Sequence, residues 1–176
     1  MRYAERCEAK RAEYQAQIAE IPKEKRVYVD ECGIDEHLVR IYAKSPAGVP
    51  VYGEVRGRKF ERTNIIAGKC GGRIVAPGEY PQYTDHKLFE LWFRDALLKE
   101  VAPGSFIILD NATFHRKKAL AALAENAGCS VIFLPPYSPD FNPIENEWAN
   151  LKSFVRNYGS NFRSLSIALA HYFKVV

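Results

Sequence analysis

The stretch Ser105-Phe106-Ile107-Ile108-Leu109-Asp110 decides which fold the sequence predicts. It is almost entirely apolar and ends in an acid, which is typical of a short strand buried on both faces. Segments with helical periodicity flank it, at residues 84–98 and 116–127. Strands separated by helices require crossover connections, so the sequence predicts an α/β fold with helices on both faces of its sheet.

Shorter β-like runs precede and follow this segment. Residues 27–30 form a predicted strand that also ends in an acid, and residues 130–134 form the last strand. Residues 38–43 alternate between apolar and polar side chains, and residues 63–68 are mostly apolar, so both are predicted as strands. Residues 73–76 are expected to extend this pairing. The resulting order, β-β-β-α-β-α-β-α-α, predicts a five-stranded mixed sheet.

The first 26 residues differ from the rest of the chain. They predict a polar helix with a broken apolar stripe, which Pro22 ends or interrupts. We therefore divide the chain into a helical arm or linker, residues 1–26, and one domain, residues 27–176. The arm is expected to pack on the core, to dimerise or to connect to another domain. Elsewhere, Thr84 is expected to cap its helix, and Trp92 and Trp148 are expected in the core.

Composition excludes several classes of protein. With 47% apolar and 26% charged residues, the chain is typical of a globular protein. No apolar run approaches the roughly 18 residues of a membrane span, and there is no signal-peptide core, so a cytoplasmic protein without a membrane role is expected. The four cysteines are too scattered for a zinc site. The net charge is +4, and residues 53–73, with six basic and two acidic side chains, carry the same amount. This clustering suits nucleic acid, and a solvated charged surface is the alternative.

Three acids are candidates for chemistry. Asp30 and Asp110 each end a predicted strand, and parallel neighbouring strands would bring both to the sheet edge where α/β folds place their sites. Two close carboxylates repel each other unless a cation or proton intervenes, and all-oxygen ligands suit Mg²⁺ or Mn²⁺. Glu145 lies near the start of a predicted helix that Asn142 is expected to cap. It borders the apolar stripe of that helix, and a capping box is its alternative role.

Longer motifs surround two of these acids. The chain resembles the DDE transposases of the mariner-like superfamily, in particular the bacterial insertion-sequence branch, through motifs that occur in order: Asp110-Asn111-Ala112-Thr113-Phe114-His115, then Leu134-Pro135-Pro136-Tyr137-Ser138-Pro139-Asp140-Phe141-Asn142-Pro143-Ile144-Glu145, then Trp148 and Leu151-Lys152. The 34 residues between Asp110 and Glu145 match the family's spacing. The resemblance covers residues 27–155 and beyond.

The resemblance implies an RNase H-like fold in which the first and fourth strands are adjacent. It implies that Asp30, Asp110 and Glu145 are the catalytic residues and hold two divalent ions, Mg²⁺ or Mn²⁺. In this family one ion activates the attacking oxygen and the other stabilises the leaving oxygen, during both DNA cleavage and strand transfer. No covalent protein–DNA intermediate is expected.

The resemblance also implies DNA partners, namely transposon ends and target DNA, bound by a homodimer. Seven basic side chains are candidates for contacts with the DNA backbone: Arg56, Arg58, Lys59, Arg62, His115, Lys152 and Arg156. For His115, arranging the acidic site and packing in the fold are the alternatives. Glu31 is expected to point away from Asp30, into a salt bridge or solvent, and Glu147 is expected in solvent.

The chain departs from complete family members at its N-terminus. Such members carry helix-turn-helix modules, and the 29 residues before Asp30 are too few for a pair of them. We therefore expect a catalytic half that works with a separate polypeptide carrying these modules, in a bacterial cytoplasm and near the nucleoid. Two alternatives remain open: a degenerate insertion-sequence remnant that binds DNA without completing transposition, and a repair nuclease or RNase H of the same fold.

Overall fold

A computed structural model describes residues 7–35, 44–52, 62–80 and 85–175. Its elements are α1 Glu8–Ala19, a 3-10 turn Lys23–Lys25, β1 Arg26–Asp35, β2 Arg62–Cys70, β3 Arg73–Tyr80, α2 His86–Trp92, a π-helical turn Phe93–Leu97, α3 Leu98–Glu100, β4 Phe106–Leu109, α4 Lys117–Asn126, β5 Ser130–Phe133, a 3-10 turn Pro139–Phe141, α5 Ile144–Tyr158, a 3-10 turn Gly159–Asn161 and α6 Leu165–Val175. Within these ranges, no helix is long and apolar enough to cross a membrane.

The five strands form one mixed sheet in the order β3-β2-β1-β4-β5. β1 pairs antiparallel with β2, and β2 with β3, while β4 runs parallel to both β1 and β5. The predicted five-stranded mixed sheet is therefore confirmed. The predicted strand at 38–43 lies outside the described residues. One edge strand of the sheet is β3, which the sequence indicated only as an extension of the pairing.

One face of the sheet is covered by α2, α3 and α4. Val27 and Val29 of β1 and Ile107 and Leu109 of β4 point to this face and join one core cluster with the helices. The helices contribute six buried side chains: Phe89, Trp92, Phe93, Leu97, Leu120 and Ala124. The apolar run of β4 is explained by burial on both faces, because Ile108 faces the opposite side and is also fully buried.

The cap of α2 differs from the prediction. Asp85 is the residue before the helix, and its carboxylate accepts a hydrogen bond of 2.8 Å from the backbone N–H of Leu88. Thr84, the predicted cap, lies outside the described residues. The two residue types serve the same purpose, because each can bond an unpaired N–H of the first turn, and sequence alone does not choose between neighbours.

The other face of the sheet is covered by α1, α5 and α6. Trp148 and Leu151 of α5 pack with Cys32 and Ile34 of β1, in a cluster that also includes Leu169 and Tyr172 of α6. Helix α1 packs beside them on β4 and β5, where its side chains meet Ile108, Ile132 and Leu134. Of the three roles expected for the arm, packing on the core is the one that its described helix performs. Helices on both faces are confirmed.

We expect Gly68→Ala in β2 to lower the free energy of unfolding by about 1–3 kcal/mol, the usual cost of overpacking. A Cβ at Gly68 would lie 2.8 Å from Val75 Cγ2 and 3.0 Å from Leu97 Cδ1, so the sheet and its helix would have to separate. Urea unfolding measures the change. Gly72→Ala is the matched control, because a Cβ there meets nothing within 4 Å. Equal midpoints for the two variants would contradict this account of the packing.

Candidate active site

Parallel pairing of β1 with β4 brings the two predicted aspartates to one edge of the sheet. The register pairs Tyr28 with Ile108, and Asp30 and Asp110 each lie two residues further along. Neighbouring strands are about 4.8 Å apart, so the two residues sit side by side where the strands end. Asp30 occurs within β1, whereas Asp110 is the first residue after β4.

Asp30 lies against α5. The indole Nε1 of Trp148, which is 3% exposed, donates a hydrogen bond of 3.0 Å to Asp30 Oδ2. Burial, followed by the negative charges of Glu31 and Glu145, raises the pKa of Asp30 to about 7, although the bonds from Trp148 and the Glu31 backbone oppose the rise. Burial and neighbouring negative charge therefore both disfavour the ionised form of Asp30, and a bound cation would favour it.

Asp110 is paired with a buried histidine instead. His115 Nδ1 lies 3.1 Å from Asp110 Oδ1, and its Nε2 lies 3.3 Å from Glu31 Oε1. Burial alone would lower the pKa of His115, but the two carboxylates raise it to about 9, so both ring nitrogens donate at neutral pH. Burial would raise the pKa of Asp110, but bonds from His115 and from the Ala112 backbone outweigh burial and hold it below its ordinary value.

This arrangement bears on two expectations. The salt bridge expected for Glu31 is confirmed, because its carboxylate meets His115 on the side of β1 opposite to Asp30. For His115, 2% of the side chain is exposed. That burial favours the alternative in which His115 arranges the acidic edge over the one in which it contacts phosphate.

Glu145 occupies the first turn of α5 and is exposed. Its negative charge contributes to the raised pKa of Asp30, which places it near that carboxylate. The capping-box alternative is not seen, because no side chain caps α5 and the Asn142 N–H donates to the Pro139 carbonyl. The expected capping role of Asn142 is therefore wrong. Its Oδ1 is buried and accepts no hydrogen bond from the described residues.

The residues of this edge fit a hard divalent cation by their chemistry. Their donors are carboxylate oxygens, no cation among the described residues lowers the pKa of Asp30, and 45% of the Asp110 side chain is exposed. Within the described ranges, however, no three His, Cys, Asp or Glu side chains are grouped closely enough to hold a metal. Asp30, Asp110 and Glu145 thus share an edge of the fold without forming a ready-made cluster.

The predicted DNA-binding residues divide into two sets. Arg56, Arg58 and Lys59 lie outside the described residues. Arg62 begins β2, and its guanidinium lies across Gly33 of β1, in the space that any side chain at position 33 would occupy.

Lys152 and Arg156 both lie on α5, beyond Glu145. Burial raises the pKa of the Cys32 thiol, and the positive charge of Lys152 opposes this rise. The Lys152 ammonium therefore lies near β1, on the part of the strand just beyond Asp30. Arg156 is exposed further along the helix.

Three contacts were not anticipated from the sequence. Trp92 and Trp148 are in the core, as predicted, but the bond from Trp148 to Asp30 was missed, and the spacing of three residues from Glu145 was its only signal. The Asn111 amide donates to the Leu134 carbonyl and joins the loops that follow β4 and β5. Glu147 forms a half-buried ion pair with Lys69, so its expected solvent position is wrong.

Comparison with protein families gives a match over most of the chain. The model of the DDE superfamily endonucleases matches residues 25–166. The chain belongs to the DDE superfamily endonucleases. None of the curated proteins compared with it matches by sequence. Solved structures share the fold of this DDE endonuclease domain at low identity.

A Mos1 transposase paired-end complex with the left transposon end has a TM-score of 0.72 and 16% identity, over 96% of this chain and 53% of that one. The Mos1 paired-end complex with Mg has a TM-score of 0.67 and 17% identity, over 94% and 52%. The catalytic domain of Mos1 has a TM-score of 0.62 and 13% identity, over 96% and 79%. The DDE endonuclease chain thus has the RNase H-like fold, as the resemblance implied, and spans about half the length of the full Mos1 chains.

We expect Asp30→Asn to stabilise the metal-free protein at pH 8 by about 2–4 kcal/mol. Because the folded state keeps the Asp30 proton up to about pH 7, and the unfolded state releases it near pH 4, wild-type stability falls as pH rises through this range. The asparagine does not ionise, so the variant does not lose stability as the pH rises. Thermal unfolding from pH 4 to 8 in the presence of a chelator measures the stability of both proteins.

Asp35→Asn, at the exposed end of the same strand, is the control for this measurement. It should leave the pH profile unchanged. A profile for Asp30→Asn that runs parallel to that of wild type would contradict the raised pKa of Asp30.

Proposed function

We propose that this DDE endonuclease domain is the catalytic domain of a transposase from the bacterial insertion-sequence branch of the mariner-like superfamily. It would cut DNA and join the free 3′ end to a target. The observation that carries the proposal is the placement of Asp30 and Asp110 at the ends of neighbouring parallel strands, with the charge of Glu145 acting on Asp30. Fold similarity to a transposase bound to a transposon end supports the same reading.

Asp30, Asp110 and Glu145 would hold two divalent cations, Mg²⁺ or Mn²⁺, which when bound activate the attacking oxygen and stabilise the leaving oxygen of the phosphodiester. The chain's own contribution is to hold these carboxylates in place. Trp148 bonds Asp30 and His115 bonds Asp110, so each of the two aspartates is restrained by a second, buried side chain. Such restraint lowers the cost of assembling a metal site. The similarity to a Mos1 complex that contains Mg supports this choice of ion.

The DNA backbone would follow α5 away from the acidic edge. Lys152 and Arg156 come seven and eleven residues after Glu145, within about 20° of it around the helix axis. They form one basic line that starts at the proposed reaction centre. Arg62, beside β1, would add a contact from the sheet, and Arg56, Arg58 and Lys59 would extend it.

The proposed partners are transposon ends and target DNA, bound by a homodimer. A separate polypeptide would supply helix-turn-helix modules, and the reaction would take place in a bacterial cytoplasm, near the nucleoid. A degenerate insertion-sequence remnant is the second candidate. It shares the fold and DNA affinity but completes no strand transfer, so a joining assay with candidate ends distinguishes the two. Cleavage of RNA in hybrids, without joining, would instead indicate an RNase H.

Mn²⁺ titration by calorimetry tests the proposed ligands. We expect saturable binding at millimolar concentrations by the wild type, its loss or strong weakening in Asp30→Ala and Asp110→Ala, and weaker but still measurable binding in Glu145→Ala. Since Asp30 must lose its proton to bind, the affinity should fall about tenfold for each pH unit below 7.

Glu125→Gln, on the exposed surface of α4, is the matched control for this titration and should bind as the wild type does. Each variant is checked for folding by circular dichroism. Saturable binding that is indifferent to all three alanine variants would refute the ligand assignment. The same variants, assayed for cleavage and joining of end DNA, connect metal binding to the reaction.

Lys152→Ala and Arg156→Ala should each weaken DNA binding at low salt, regardless of sequence. Each removes one phosphate contact, so the slope of log K against log salt should become less negative by about 1 for each variant. Fluorescence anisotropy from 50 to 200 mM salt measures the slope. Lys99→Ala, which removes an exposed charge from α3, should leave it unchanged. Unaltered slopes in both α5 variants would place the DNA elsewhere.

A further inference from the structure

Helix α1 contacts the loop that leads from β5 to Glu145 through an ion pair. Arg11 donates from Nη1 to Asp140 Oδ1 at 3.0 Å and from Nη2 to Asp140 Oδ2 at 2.5 Å. Only 5% of the Arg11 side chain is exposed, compared with 54% for Asp140. A guanidinium this deeply buried is tolerated when a carboxylate pairs with it in the bidentate geometry seen here.

A second contact holds the next residue of the loop. The guanidinium carbon of Arg11 lies 3.8 Å from the centre of the Phe141 ring, and the ring of Tyr14 stacks on Phe141 with centroids 5.3 Å apart. Tyr14 in turn belongs to the buried cluster with Ile108 and Ile132 of the sheet. Helix α1 is therefore fixed to the sheet on one side and to the loop on the other.

The loop between Phe141 and Glu145 is short and internally bonded. Pro139–Phe141 forms a 3-10 turn, and the Asn142 N–H donates to the Pro139 carbonyl at 2.9 Å. The Glu145 N–H donates to the Asn142 carbonyl at 3.2 Å. A turn bonded in this way moves as a unit, so the position of Asp140 and Phe141 sets the position at which α5 begins.

We propose that α1 is a positioning clamp for Glu145, in which Arg11 and Tyr14 hold the turn Pro139–Phe141 and so keep Glu145 against the acidic edge. Arg11 is a positioning residue, because its described contacts are with Asp140, Phe141 and Glu8 and not with the acids of that edge. The inference rests on the proposed role of Glu145 as a ligand. Without the clamp, the two aspartates would stay in place and the third ligand would be mobile.

Hydrogen exchange of the backbone amides tests the clamp without any assumption about activity. In Arg11→Gln and in Asp140→Asn, the amides of Asn142 and Glu145 should exchange about tenfold faster or more, as expected for a lost charge-assisted contact. The double variant should be no faster than the faster single variant. Amides of β4 report global unfolding and should become faster by a clearly smaller factor than those of the loop. Lys10→Gln, which removes an exposed positive charge next to Arg11, is the control.

Mn²⁺ binding then tests the consequence for Glu145. Arg11→Gln should weaken Mn²⁺ binding about tenfold in the wild-type background and have no further effect in Glu145→Ala. A purely structural role for Arg11 would weaken binding equally in both backgrounds, which would overturn the clamp. Exchange that rises equally in β4 and in the loop, or additive effects of the two single variants, would also overturn it.

The two proposals fail in different ways. If the wild type binds no Mn²⁺ with or without DNA, the metal site of the proposed function is refuted, while the exchange data still decide whether α1 holds the loop. If Arg11→Gln does not fold, Asp140→Asn breaks the same ion pair from its half-exposed side. Unchanged exchange of Asn142 and Glu145 in that variant would refute the clamp.

Discussion

Parallel pairing of β1 with β4 is the constraint on which the acidic edge depends. Both strands are buried, so their alignment is fixed by apolar packing, and that alignment forces Asp30 and Asp110 into proximity. Carboxylates gathered at one partly buried edge repel one another when ionised, and the negative charges that act on Asp30 are those of Glu31 and Glu145. Because the core sets the distance, the protein has to manage this repulsion through the side chains around the two acids.

The two aspartates have different partners among the surrounding side chains. Asp110 receives a charged partner, since His115 is held protonated between Asp110 and Glu31, and it therefore stays ionised. Asp30 receives only neutral N–H donors, from Trp148 and the Glu31 backbone, and burial together with the charges of Glu31 and Glu145 raises its pKa to about 7. A purely structural ion-pair network would neutralise both. The asymmetry leaves one carboxylate whose ionisation near neutral pH is favoured by an added cation, which is the behaviour expected of a metal ligand.

The sequence predicted the features that depend on local pattern, such as strands and helices. It did not predict side-chain contacts between residues that are distant in the chain. Periodicity and composition predicted the buried strand β4, the acids at the strand ends and the helix after Pro143. The structure places all three as expected. The partner of Glu147 did not follow. A helical wheel predicts the direction in which the Glu147 side chain leaves α5. It does not predict that Lys69, 78 residues earlier in the chain, lies in that direction and pairs with it. Asn142 is a residue type that favours capping, but its buried side-chain oxygen accepts no hydrogen bond from the described residues, and the local pattern carries no signal of this.

The arm shows why such long-range contacts matter for function. Its apolar stripe, Tyr14, Ile18 and Ile21, predicted a helix with an apolar surface to cover. The hydrophobic effect is non-directional, so burial of this stripe does not by itself select one register. Arg11 does not tolerate a change of register, because sliding would separate the guanidinium from Asp140 and break their bidentate ion pair. One ion pair thus fixes the register of α1 against the turn Pro139–Phe141. That turn leads into α5. Arg11, 134 positions before Glu145 in the chain, therefore constrains the position of the Glu145 side chain.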